Sequence, residues 1–275
     1  FVNPDDLASR VATSLANVEP TRRFRDALRP PVMMGDMERI FAKDELEDTS
    51  LATIKAGLVS MATESARGIP APALHVDLSH DWWSTRLLLY TALARKYVGV
   101  SCLLITESLE DPDPKEHFVG LISVETAMER LLELHKDLEG KIDEIEARND
   151  MFPDAPTELE EEIDQDVTTF KAAFSAAKMK PENQRKLDVT AYQLQRWMGD
   201  AMLTRPVSIK DIESPTRIDL ALVSRFPHRF VPIHAESGLA PKGRNPNTGG
   251  KCWVIDQSDL ATTLSEFFLS DQFGS

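Results

Sequence analysis

The spacing of apolar residues separates helical stretches of this chain from strands. Near the start, apolar residues recur four positions apart, which predicts one face of a helix. A second helix is predicted to begin at Ser50, which can cap it, and to end at Gly68 and Pro70. Residues 1–70 are therefore predicted to form an N-terminal helical segment. The two apolar sets are Leu7, Val11 and Leu15, then Leu51, Ile54, Leu58 and Met61.

Strand-like patterns follow this segment. Residues 73–78 (ALHVDL) alternate as a strand does, and a long helix is predicted from Trp82 to about Tyr97. An apolar strand over 100–106 (VSCLLIT) comes next, then a second strand over 117–123 (HFVGLIS) and a helix that opens at Val124. The predicted order after the first strand is helix, strand, strand, helix.

The C-terminal part repeats this order. A helix opens at Ser214 and Pro215, strands are predicted over 229–234 (RFVPIH) and 251–256 (KCWVID), and a last helix closes the chain. Two similar units usually pack around a pseudo-twofold axis, so the repeat predicts an α/β (α+β) fold with a paired core of residues 71–134 and 202–275. The two helices have as their apolar sets Ile218, Leu220, Leu222 and Val223, then Leu260, Leu264, Phe267 and Phe268.

Residues 135–201 are predicted to form an inserted helical hairpin and a linking helix. Two apolar stripes with alternating steps of three and four flank a turn at 149–156 (NDMFPDAP), and a further helix is predicted over 183–202. This coiled-coil-like spacing predicts an antiparallel hairpin that serves homodimerisation or the docking of a protein partner. The stripes are Met128, Leu131, Leu134, Leu138, Ile142 and Ile145, then Ile163, Val167, Phe170, Phe174 and Ala177.

Charge and cysteine content narrow the function classes. The formal net charge of -14 argues against nucleic-acid binding, because affinity for phosphate comes mainly from Lys and Arg. No apolar run approaches the roughly 20 residues that a membrane-spanning helix needs, so no membrane partner is expected. The two cysteines, Cys102 and Cys252, lie in predicted buried strands, which favours reduced thiols and a cytoplasmic location.

The C-terminal repeat resembles the CBS domain, a small βαββα unit that works in pairs. The resemblance is carried by residues 202–207 (MLTRPV), 216–226 (TRIDLALVSRF), 228–238 (HRFVPIHAESG) and 253–264 (WVIDQSDLATTL), and residues 73–134 look like a more divergent copy. In that family the clefts between paired units often hold adenine nucleotides. The resemblance therefore implies a regulatory or sensor module, with an adenine nucleotide as its possible ligand.

The family's ribose-contacting pattern places candidate ligand residues at two matching points. The pattern is a Gly, two apolar residues, a Thr or Ser, two further residues and an Asp. In the first copy it falls on Gly120 and Ser123, with Thr126 where the Asp is expected. In the second copy Trp253 replaces the Gly, Asp256 replaces the Thr or Ser, and Asp259 takes the last position.

Two of these residues, Ser123 and Asp256, can also be explained by a structural role. Ser123 and Asp256 stand where a helix N-cap is expected, and a carboxylate at Asp256 would repel a phosphate. A degenerate module could keep the fold and lose the nucleotide, in which case the chain is a protein-interaction scaffold without a ligand.

An enzyme is the remaining alternative. His75, Asp77, His80 and Asp81 form the one dense group of reactive side chains, and such groups bind metals or carry out acid–base chemistry. Their spacing fits no common metal motif, and helix capping with local hydrogen bonding is the favoured explanation for them. The chain has no P-loop, no GxSxG motif and no HExxH motif, so a binding module is favoured over a hydrolase.

Overall fold

The computed structural model describes residues 24, 28–29, 48–67, 73–80, 82–109, 115–147, 156–178, 188–212, 215–237 and 251–258. These ranges contain both strands and helices, which makes the protein mixed α/β, as predicted. The strands are β1 (Leu28–Arg29), β2 (Ala73–Asp77), β3 (Cys102–Leu109), β4 (Lys115–Ser123), β5 (Val207–Asp211), β6 (Phe230–Ser237) and β7 (Lys251–Asp256). The helices are α1 (Asp48–Arg67), α2 (Ser84–Val98), α3 (Val124–Leu134), α4 (Glu139–Ala147), α5 (Pro156–Lys178), α6 (Ala191–Met198) and α7 (Arg217–Ser224).

The chain divides into two compact units. The helix-rich unit consists of Pro31–Leu109 and His117–Thr204, and the terminal unit consists of Phe1–Pro30, Glu110–Glu116 and Arg205–Ser275. This division differs from the one that the sequence predicts. The helices of the predicted insertion share one hydrophobic core with the first α/β repeat, and the predicted N-terminal segment is divided at Pro30.

Each unit contains a strand–helix–strand–strand arrangement with the same pairing. In the helix-rich unit the sheet order is β2-β3-β4, and β2 runs parallel to β3 with His75 opposite Leu104. In the terminal unit the order is β1-β7-β6-β5, where β5 is parallel to β6 and β6 is antiparallel to β7. The strand–helix–strand–strand part of the predicted repeat thus occurs once in each unit, and the last helix of the second copy lies outside the described residues. The pseudo-twofold packing of the two units stays a prediction.

The core of the helix-rich unit surrounds α2. Every residue of α2 from Ser84 to Ala94 is buried, because its sequence places apolar residues around the whole helix rather than on one face. Ile54 and Leu58 of α1 pack against the same core, as the predicted stripe of that helix requires. A positive φ at Gly99 ends α2, since a residue without Cβ adopts this conformation at little cost.

The stripe predicted to run from Met128 to Ile145 is not one continuous helix. The backbone leaves helical geometry at His135, and a 3-10 turn over Lys136–Leu138 precedes α4. The His135 ring lies 2.7 Å from the hydroxyl of Ser84, between Nε2 and Oγ, which fixes the ring against α2. Leu134, a predicted stripe residue, is consequently 36% exposed.

The stripes of the predicted hairpin are used inside the helix-rich unit. Leu131, Ile142 and Ile145 are buried in its core, as are Ile163 and Phe170 of α5. These buried side chains are used inside the unit, and the predicted homodimerisation or partner docking through the insertion stays a prediction.

The helix α7 departs from its predicted packing. Val223 is fully buried, but Ile218 is 72% and Leu222 is 52% exposed. A capping box between Thr216 and Asp219 begins this helix, one residue after the predicted Ser-Pro opening. The apolar set of this helix therefore divides between the core and the surface.

Several predicted features lie outside the described residues. These are the first N-terminal helix with Leu7, Val11 and Leu15, the stop at Gly68 and Pro70, the turn over 149–155, the start of the linking helix at 183–187, and the last helix with Leu260, Leu264, Phe267 and Phe268.

A buried ion pair fastens α5 to α2. The ammonium of Lys96 lies 2.7 Å from Oδ2 of Asp166 and 2.6 Å from Oε1 of Glu162, and it donates to the Ile145 carbonyl at 2.8 Å. The hydroxyl of Tyr97 donates to the same Asp166 oxygen at 2.6 Å. An ammonium has three N–H donors, so these three acceptors satisfy it fully. The pair therefore fixes how α4 and α5 sit on α2.

Replacing Lys96 with Met should lower the free energy of unfolding by about 3–5 kcal/mol, because Asp166 would remain buried without its cation. Urea unfolding followed by circular dichroism measures the change. Lys55→Met is the matched control, since Lys55 pairs with Asp164 at the surface and such pairs contribute less than about 1 kcal/mol. Equal losses in the two variants would contradict the role given to the buried pair.

Candidate functional site

The first candidate ligand site lies where β4 passes into α3. Ser123 is the N-cap of α3: its hydroxyl oxygen accepts a hydrogen bond from the Thr126 backbone N–H at 3.1 Å. The same hydroxyl donates to Oγ1 of Thr126 at 2.8 Å. Thr126, which stands where the family pattern has an Asp, is thus the partner of the cap. Both hydroxyls are engaged within the first turn of the helix.

Gly120 is covered by the chain itself. A Cβ on Gly120 would lie 2.7 Å from both Cγ and Sδ of Met202. Leu121 and Leu203 exchange two backbone hydrogen bonds of 2.9 Å, which hold the 202–203 segment against β4. The space that a ligand would occupy above the glycine of the family pattern holds the buried side chain of Met202.

The second candidate site lies at the end of β7, where Asp256 makes contacts within the terminal unit. Its carboxylate receives hydrogen bonds from Arg229 at 2.8 and 3.1 Å and from the Ser258 backbone N–H at 2.9 Å. Burial alone would raise the pKa of Asp256, but the hydrogen bonds from Arg229 and Ser258 outweigh it and hold the pKa below its ordinary 3.8. Asp256 accepts the bond from the Ser258 N–H as an N-cap residue would, and Asp259 lies outside the described residues.

His75 and Asp77, two members of the histidine and aspartate group at the end of β2, each contact a residue of β3. The His75 ring lies 2.8 Å from the Thr106 hydroxyl, between Nε2 and Oγ1, while the Asp77 carboxylate accepts bonds from Ser79 and Ser108. Burial alone would raise the pKa of Asp77, but these hydrogen bonds hold it below its ordinary value. No three His, Cys, Asp or Glu side chains of the described ranges lie together as metal ligands, and Asp81 is outside those ranges.

The sequence reasoning missed a buried Ser–His contact. Ser84 begins α2 and lies 2.7 Å from His135, the residue at which α3 ends. Such a pair can activate a serine nucleophile. Ser84 is fully buried, however, and its hydroxyl is bonded to a ring that sits between two helices. The signal was weak, since the two residues are far apart in sequence and neither lies in a known motif.

A buried arginine was also missed. Arg86 is fully buried in the first turn of α2, with its guanidinium 4.4 Å from the centre of the Trp83 ring. Trp82 lies beside Tyr90 with ring centres 5.1 Å apart, and its indole N–H donates to the Asp77 carbonyl at 2.9 Å. The two tryptophans Trp82 and Trp83, shortly before Arg86 in sequence, were the only indication that this arginine packs on an aromatic ring. These aromatic contacts anchor the start of α2 to the end of β2.

Comparison with protein families, with curated proteins and with solved structures finds no match for this chain. The resemblance to the CBS domain therefore rests on the residues quoted for it and stays a prediction.

Gly120→Ala should lower the free energy of unfolding by about 1–3 kcal/mol, because the added methyl overlaps Met202. The same substitution made together with Met202→Ala should cost clearly less than the sum of the two single changes. Gly140→Ala is the control, since its Cβ would meet no atom within 4 Å. Additive losses in the double variant, measured by chemical unfolding, would contradict the close contact.

Asp256→Ala should lower the free energy of unfolding at pH 7 by about 1–2 kcal/mol, because it removes a cap acceptor and the partner of Arg229. Asp256→Asn keeps an acceptor and should cost less. The folded-state pKa is depressed, so this stabilisation is complete above the unfolded pKa of about 3.9 and is lost as the pH falls through the folded value. Unfolding at pH 7 and at pH 3 should therefore show a gap between Asp256→Ala and the unmodified chain that narrows in acid. A constant gap would argue against a charged Asp256.

Proposed function

We propose that this chain is a regulatory module that works through protein contacts, and that it is a scaffold rather than a nucleotide sensor or a hydrolase. One observation carries the proposal: the described residues of both candidate ligand sites make contacts inside their own unit. The Met202 side chain lies against Gly120, and the Ser123 hydroxyl donates a hydrogen bond to Thr126. The guanidinium of Arg229 donates to the Asp256 carboxylate. A side chain that is already paired must break that contact before it can bind a ligand.

Nucleotide sensing is the competing function. It is supported by the strand–helix–strand–strand order of each unit, which agrees with the resemblance to the CBS domain. Against it stands the chemistry at the two sites. The carboxylate of Asp256 has a depressed pKa and is charged at neutral pH, so it would repel a phosphate at the start of the last helix. Met202 would have to leave its buried position to admit a ribose.

A hydrolase is less well supported than either. His75 contacts the Thr106 hydroxyl and Asp77 accepts hydrogen bonds from two serines, and among the described residues no three His, Cys, Asp or Glu side chains are grouped as metal ligands. Ser84 and His135 have suitable spacing, but a serine with no exposed surface cannot meet a substrate without local opening of the structure.

We also propose a cytoplasmic location. Both cysteines are buried and neither forms a disulfide, which suits a reducing compartment. Among the described helices, none is long and apolar enough to cross a bilayer.

The scaffold proposal is tested by titrating the full chain with AMP, ADP and ATP and following the free energy of unfolding. We expect no change at 1 mM of any of them. A nucleotide bound to the folded state at 100 times its Kd would add about 2.7 kcal/mol. Such a gain, lost in Ser123→Ala and kept in the exposed-serine control Ser208→Ala, would replace the scaffold with a nucleotide sensor.

A further inference from the structure

We draw no further inference here: the strongest candidate, the exposed apolar side chains of Ile218 and Leu222 on α7 in the terminal unit, carries no proposal, because nothing in the described part of the chain shows what covers them.

Discussion

The ammonium of Lys96 is buried at the C-terminal end of α2, and burying a charge costs several kcal/mol unless it is fully paired. The surrounding helices bring Glu162, Asp166 and the Ile145 carbonyl to it at once, so all three of its N–H donors have acceptors. The length of α2 matters for the same reason, because one residue more or less would rotate Lys96 away from α5. Apolar packing alone tolerates sliding between helices, whereas this pair specifies their register.

Local patterns predicted well those elements whose signals are themselves local. The bounds of β7 followed from an apolar run after a loop rich in Gly, Asn and Pro, and the start of α3 followed from the Ser123 cap. The break at His135 could not be seen, because its cause is a hydrogen bond to Ser84 in another helix. The apolar set of α7 was visible too, but spacing gives the faces of a helix without saying which face is covered.

The two candidate sites differ in the same respect, because one depends on contacts that are local in sequence and the other on a distant residue. An Asp at position 256 already suggested a cap, and the contacts with Ser258 agree. The side chain that lies against Gly120 is that of Met202, which is distant in sequence. No sequence motif predicts such a contact. A resemblance transfers residue types at fixed spacings. It does not transfer the long-range packing that decides whether a cleft is open, which is why two similar strand orders can serve different uses.

The route of the chain has a consequence for its synthesis. Leu28 pairs with Ile255, so the sheet of the terminal unit is completed by strands from opposite ends of the sequence. In sequence, the strands and helices of the helix-rich unit lie between β1 and β7, so they emerge from the ribosome before β7 does. Their contacts are mainly between residues closer in sequence, which form sooner. On a growing chain, β1 therefore has no partner strand until β7 has been made. During that interval the unpaired backbone of β1 can pair with a strand of another chain, which favours aggregation.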